Sequence, residues 1–327
     1  MIISYWTDLG NLNTSVGYGE AGYNICKSLV ELGHKVPFDS PDAPVQMSFV
    51  QPEYYGFYDH QYKIGYTPWE STALPEFWLE HMEQCDEIWT TSPWVAKVYR
   101  DNGVTKPLYV YEHGVDKVWT PRARHRRNKL RFLHVGEPAP RKAAQLVLDV
   151  FREAFGDSDD VELTIKAHNT NTTRVRDRMG SIICTPDQLK NVNVITKEYS
   201  REEMVSLYQG HHVLVYPSWG EGFGFIPAQA LATGMPTICT SSWAPYADWL
   251  GDLKVDSRLV DSPWEWTHTG QVYEPNADDL YKKMMLAYED FENQSDKFFS
   301  QAEAFRTRYD WVNLTEKAFE HIVTKFS

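Results

Sequence analysis

No two cysteines in this 327-residue chain stand as a C-x-x-C pair, and there are only four: Cys26, Cys85, Cys184 and Cys239. Their isolation excludes a disulfide scaffold and thiolate metal sites, and predicts reduced thiols in a cytoplasmic protein. A basic excess is missing too. Lysine and arginine total 32 against 45 acidic residues, for a formal net charge of -13. A protein whose main partner is a phosphate backbone or an anionic membrane ordinarily shows the opposite balance. Long apolar runs are lacking, so no bilayer span is expected. The opening MIISYWTDLG has neither the basic start nor the apolar stretch of a secretory signal. The N-x-S/T sequons at Asn13, Asn171, Asn293 and Asn313 are therefore read as silent. Internal repeats and low-complexity tracts are also lacking.

What is present suffices for two cores. The length is generous for one core, and hydrophobic residues make up 42% of the chain. Aromatics reach 14%, with 12 tryptophans, which serve packing or form platforms for sugar rings or bases. Short apolar runs alternate with amphipathic stretches. IISYW (2–6), KVPF (35–38), VQMSF (45–49), YKIGY (62–66), EIWTT (87–91) and LYVYE (108–112) read as strands. Residues 18–33 and 93–103 read as helices, each closed by glycine. After TPRARHRRNKLR (120–131), a basic and polar break read as a linker, the alternation resumes. Strands are expected at 130–135, 161–167, 192–196, 213–217 and 236–240, with helices at 141–156 and 200–210. Ser200 and Glu203 fit a capping box. From about Asp278 the chain reads as helical, with a break near Tyr309–Asp310. The fold class is therefore α/β, with two doubly wound, Rossmann-like domains. The domains expected are 1–122 with about 309–327, and 123–308.

In such sheets ligands bind on the loops at the carboxyl ends of strands. VLVYPSWGEGFGFIPAQALATGMP (213–236) fits that place. Gly222 and Gly224 let the backbone approach a ligand, Pro227 suits a first helical position, and Gly234 ends the helix. A helix start offers N–H groups to an anion, and Glu221 beside it offers a carboxylate to hydroxyls. Arg141 and Lys142 follow GEPAP after the first strand of the same domain. They add two adjacent cations at a second loop–helix junction, where guanidinium can bind phosphate bidentately.

These stretches resemble the second domain of retaining glycosyltransferases of family four, which have the GT-B fold. The family's Glu-x7-Glu motif reads EGFGFIPAQALATGMP here, with Gln229 at the second acidic place. VGYGEAGYNICKSLVELGHKV resembles the family's first glycine loop and helix. YDWVNLTEKAFEHI resembles the terminal helix that crosses back to the first domain. The resemblance implies transfer of a sugar from a nucleotide-sugar, UDP- or GDP-linked, with retention and without an obligatory metal or other cofactor. Arg141 and Lys142 would neutralise the diphosphate, and Glu221 would hold sugar hydroxyls. Phe223, Gly224 and Phe225 would orient the ring, and Gly17 and Gly19 would face the diphosphate or sugar. Gln229 would reach the ribose more weakly than a carboxylate. Where many members carry a histidine near the donor sugar, this chain has IGYTPWES, so Thr67 and Glu70 are candidate contacts, as is His113 in YEHGVD.

The resemblance leaves the acceptor open between a glycan or glycoconjugate and an anionic acceptor such as modified DNA or lipid phosphate. Arg122, Arg124, Arg126 and Arg127 in the basic segment would favour the latter. Two other readings compete. GYGEAG (17–22), with Asp39 beyond it, outlines a dinucleotide fingerprint and an NAD-dependent oxidoreductase. TDLGNLNTSV between strand and glycines speaks against it. A non-catalytic nucleotide-sugar binder is the third reading, with Gln229 as its support.

Overall fold

The computed structural model describes residues 1–7, 17–137, 139–167 and 190–326. Cys184, the sequons at Asn13 and Asn171, Pro138 and most of TDLGNLNTSV lie outside them. Five parallel strands form the first sheet: β1 (Ile3–Trp6), β2 (Val45–Phe49), β3 (Tyr62–Tyr66), β4 (Glu87–Thr90) and β5 (Leu108–Val110), in that order. The expected KVPF strand lies along the free edge of β1. Ile3 N–H donates to Lys35 O, Tyr5 N–H to Pro37 O and Asp39 N–H to Tyr5 O, at 2.9, 2.9 and 3.1 Å. It forms isolated bridges and no continuous ladder, because Pro37 has no N–H to give. With this edge counted, the chain winds outward both ways from β1. Helices α1 (Gly17–Glu31), α2 (Trp78–Met82) and α3 (Pro93–Asp101) follow β1, β3 and β4.

The second sheet is also parallel: β6 (Leu130–Gly136), β7 (Val161–Ala167), β8 (Val192–Ile195), β9 (Val213–Tyr216), β10 (Thr237–Thr240) and β11 (Lys254–Val255). Their spatial order is β11-β10-β9-β6-β7-β8. The chain runs from β6 to β8 on one side, then returns to place β9 against β6. The carboxyl ends of β6 and β9 therefore flank a topological switch point, where such sheets open a crevice for ligands. α4 (Ala144–Phe155), α5 (Arg201–Gly210) and α6 (Phe225–Ala232) connect the strands. The capping box of α5 forms as its sequence requires: Glu203 N–H donates to Ser200 Oγ at 3.2 Å, and Ser200 N–H to Glu203 Oε2 at 2.7 Å.

α7 (Ala277–Glu289), α8 (Phe291–Arg308) and α9 (Trp311–Phe326) complete the chain. The break before α9 turns the chain back, with Val115 N–H donating to Tyr309 O at 2.8 Å. α9 then buries Trp311, Phe319 and Ile322 in the core of the first sheet, beside Ile3, Ile25 and Leu29. Each such side chain is worth about 1.5–3 kcal/mol once removed from water, so the last helix is an integral part of the first unit.

Besides the short α2 and β11, which the sequence did not announce, two features depart from the sequence expectation. β12 (Ser257–Asp261) and β13 (Gln271–Pro275) form an antiparallel hairpin that was not predicted. Their nine-residue connection, SPWEWTHTG, has none of the two-residue turn chemistry that marks a hairpin. The basic segment is solvated at Arg122 and Arg127 but not throughout. Arg124 is buried, and its guanidinium donates to the carbonyls of Tyr208, His211, Thr233 and Arg122. The carbonyls of Tyr208, His211 and Thr233 close the last turns of α5 and α6, so one cation caps two helix C-termini. Arg126 instead lies over the Tyr288 ring at 4.4 Å, and Arg122 reaches Gln209 at 3.2 Å. The four arginines do not form one acceptor-facing surface.

Candidate active site

The two loops at the switch point of the second sheet bring the expected residues together. After β6 the chain makes a 3₁₀ turn, Pro140–Lys142, and passes through Ala143 at φ 59° before α4 begins. Arg141 and Lys142 thus precede the helix, where a helix start had been expected, and the left-handed Ala143 sets their direction. After β9 the loop 217–224 carries Glu221. Lys142 Nζ lies 2.6 and 2.7 Å from the two oxygens of Glu221, and Arg141 Nη1 lies 3.1 Å from Oε1. Tyr216 and Ser218, which no sequence motif singled out, donate their hydroxyls to the same Oε1 at 2.9 and 2.6 Å. Burial alone would raise the Glu221 carboxyl. The Lys142 and Arg141 cations more than reverse this and hold it down to about 2.

A buried ion cluster of this kind is poor evidence of a stability device, since desolvating the charges costs as much as their attraction returns. Clusters of enclosed, strongly shifted groups at a crevice mark functional sites instead. Arg141 supports that view. Its Nε is buried and has no hydrogen-bond partner among the described residues. An unspent buried donor costs about 1–3 kcal/mol, and an anionic oxygen entering the crevice would satisfy it.

The glycines of the loop act on the other unit as well. A Cβ on Gly222 would stand 2.4 Å from Pro68 Cβ, and one on Gly220 would stand 2.2 Å from Glu70 O. Thr91 Oγ1 donates to Gly222 O at 2.7 Å. Gly222 was expected to admit a ligand; its bare backbone admits the first sheet's TPWES loop. Gly224 is required twice, by φ 82° and by Tyr246 Oη, which would meet its Cβ at 2.5 Å. α6 begins at Phe225, two residues before the expected Pro227, with Gly224 as its N-cap.

The remaining candidates separate. Glu70 stands at the cluster, with Oε1 3.8 Å from Arg141 Nη2. Phe223 is buried, edge-on to Tyr246 and 5.3 Å from the His113 ring. Phe225 stacks on His113 at 4.9 Å and 8°. His113 has no partner for either ring nitrogen among the described residues, and burial lowers its pKa to about 3. It is a neutral ring packed between the two units. Thr67 is wholly buried; its hydroxyl donates to Val50 O and its own carbonyl accepts from Tyr99 at 2.9 Å. That side chain holds loops of the first sheet and does not face the crevice. Gln229 is buried on α6, its Oε1 3.5 Å from the Tyr208 hydroxyl.

Gly17, Gly19 and Gly22 all lie within the first two turns of α1. The G-x-G-x-x-G pattern is therefore helix here, unlike the tight strand-to-helix turn of a dinucleotide fingerprint. Gly17 is exposed and Gly19 buried. Between them and the second sheet runs an ionic link. Arg201, at the start of α5, contacts Glu20 at 2.6 Å and Asp116 at 3.3 Å. Burial raises Glu20 to about 7, against the pull of Arg201.

Among the described residues no group of three or more histidine, cysteine or acidic side chains is placed to hold a metal. No helix among them is long and apolar enough to cross a membrane.

Comparison with known proteins agrees with this architecture. A sucrose-phosphate synthase from Thermosynechococcus elongatus superposes with a TM-score of 0.74 at 13% identity, covering 100% of this chain and 99% of that one. HepE of Anabaena, solved in complex with UDP-glucose, gives 0.66 at 10% identity, with 99% of each chain covered. At this identity the likeness shows a shared GT-B fold. A protein assigned as glycosyltransferase 45 in Sulfolobus islandicus filamentous virus (isolate Iceland/Hveragerdi) is 23% identical over 185 residues, 54% of this chain. The matched part spans about half, 48%, of that viral protein. Residues 93–316 match the model of a family described as family 4 glycosyltransferase in conflict systems. That match takes in well over half of the chain, including both switch-point loops, and this protein belongs to that glycosyltransferase family.

Proposed function

We propose that this protein transfers a sugar from a nucleotide-sugar, UDP- or GDP-linked, to an acceptor hydroxyl with retention of configuration. The observation that carries the reading is the enclosure of Arg141, Lys142 and Glu221 at the switch point of the second sheet. Two cations meet one close carboxylate there, and one guanidinium N–H is unspent. The diphosphate lies against Arg141 and Lys142, which stabilise it as it leaves. Preorganised donors of this kind are worth about 10²–10³ in rate each. Glu221 accepts from hydroxyls of the sugar, and the backbone at 223–225 orients the ring. Gln229 meets the ribose with one acceptor and one donor where a carboxylate would offer two acceptors. The donor side is residues 123–308; the acceptor side is residues 1–122 with 309–327. Attack from the leaving-group face keeps the anomeric configuration, with a donor phosphate oxygen taking the proton, and needs no protein nucleophile. The UDP-glucose complex of the HepE neighbour supports a uridine donor.

A thermal-shift panel of UDP-, GDP-, ADP- and TDP-sugars with NAD(H) tests this. A ligand bound only to the folded state adds about 2.7 kcal/mol at a hundredfold excess over Kd. A clear upward shift is expected with a UDP- or GDP-sugar. A shift with NAD(H) alone would overturn the proposal.

A further inference from the structure

The rim of the site is built differently from its floor. Glu221, Arg141 and Lys142 form the floor, with side-chain exposures of 8, 13 and 14%. Glu70 and His268 stand further out, at 24 and 18%. Glu70 comes from the first-sheet loop and His268 from the turn of the unpredicted hairpin. His268 Nε2 lies 3.7 Å from Glu70 Oε2, while Glu70 Oε1 faces Arg141. Two half-buried tryptophans follow on the same loop and on the hairpin turn. The backbone N–H of Trp219 donates to Arg141 O at 2.9 Å, and the Trp264 ring sits edge-on to the Trp219 ring at 5.2 Å. Trp266, two residues further along the turn, is 80% exposed.

The turn that carries these groups is held in place. Thr267 and His268 N–H donate to Trp264 O, and Gly270 N–H donates to Glu265 Oε1. Thr269 Oγ1 donates to Ala73 O at 2.8 Å, and Thr72 exchanges two hydrogen bonds with Gln271. The hairpin is thereby fastened to the first unit across the mouth of the crevice. The His268 ring is itself stacked on Trp69 at 5.9 Å and 27°, and a fixed carboxylate and imidazole on a turn that also carries indoles suit a polyhydroxyl ring. The polar pair bonds hydroxyls, and the indoles cover the ring's apolar C–H face. Charge decides the ligand class. Glu70 and Glu265 border the turn and the chain carries -13 overall, so outside the Arg141–Lys142 floor the rim favours a neutral saccharide over a phosphodiester chain.

We propose that Glu70, His268, Trp219, Trp264 and Trp266 form a subsite for a neutral saccharide, which is the acceptor of the reaction. The acceptor role rests on the transferase reading above; the saccharide binding itself does not. The full-length protein is titrated with methyl α-D-glucopyranoside, maltotriose, cellotriose and chitotriose while tryptophan emission is followed. UDP-glucose and a dT10 oligonucleotide are titrated separately. The expected result is a saturable response to at least one saccharide, weakened tenfold or more by Trp264→Ala. Trp266→Ala, at an exposed position, weakens it in the same direction without risk to folding, and His268→Gln weakens it less than either. No response to any of the four saccharides, or a response that both tryptophan variants leave intact, overturns the proposal. So does salt-sensitive binding of dT10 in their place. A bound saccharide with no UDP-glucose binding leaves the subsite standing and removes UDP-glucose as the donor. Bound UDP-glucose without a saccharide response does the reverse.

Discussion

Arg124 and Arg141 both lie in Pro- and Arg-bearing segments, TPRARHRR and APRKAA, and both are drawn out of solvent, Arg124 fully and Arg141 for the most part. Their partners differ in kind. Arg124 is saturated by backbone carbonyls at the ends of α5 and α6, and burial lowers its pKa to about 9 with no carboxylate to oppose it. Arg141 faces Glu221 and Glu70, keeps Nε unspent, and these carboxylates raise its pKa despite burial. A guanidinium whose donors are used up on carbonyls is a cap. One that shares a crevice with carboxylates and retains a free N–H is poised for an anion. If Arg141 binds the donor as proposed, burial does not distinguish it from a structural arginine such as Arg124; the chemistry and completeness of the partners do.

Exchanging the consequences of these two residues would break the comparison. The largest effect is expected from Arg141→Ala, a loss of about 10²–10³ in turnover of the nucleotide-sugar, with a cooperative melt retained. Steady-state kinetics beside calorimetry reads both. An active Arg141→Ala enzyme would remove the guanidinium from the proposed chemistry. Arg124→Ala is expected to cost about 3 kcal/mol of stability, since several buried carbonyls lose their donor together. Denaturant titration measures it, and per-molecule turnover of the folded fraction should hold. A loss of turnover without a loss of stability would make Arg124 part of the site. The smallest effect sharpens the picture at Gln229. Gln229→Glu restores a charge-assisted acceptor and should bind donor no more weakly, up to about tenfold more tightly. A large loss in calorimetric affinity would show that the side chain does not meet the ribose.

The parts of the site legible beforehand share one property: each is a local pattern. Arg141 with Lys142, and Glu221 within GEGFG, announce themselves by residue type beside a strand end. Tyr216 and Ser218 did not, because hydroxyls in VLVYPSW have no spacing that marks them; only the shared contact with Glu221 Oε1 does. His268 was invisible for a different reason. It sits in a turn with no motif, and it reaches Glu70 across more than half the length of the chain.

The sequence by itself determined the two alternating α/β series, the break at Tyr309–Asp310, the capping box at Ser200 and the residue types at the switch point. These depend on periodicity and on neighbours within a few residues, where side-chain sterics and hydrogen bonding act directly. The tertiary structure decided which glycines serve a neighbouring loop, which arginine is a cap, that Thr67 is spent inside the first unit, and that a hairpin bridges the two. Those outcomes depend on which buried polar groups are left without partners once the sheets close. Long-range packing settles that balance, and no local pattern encodes it.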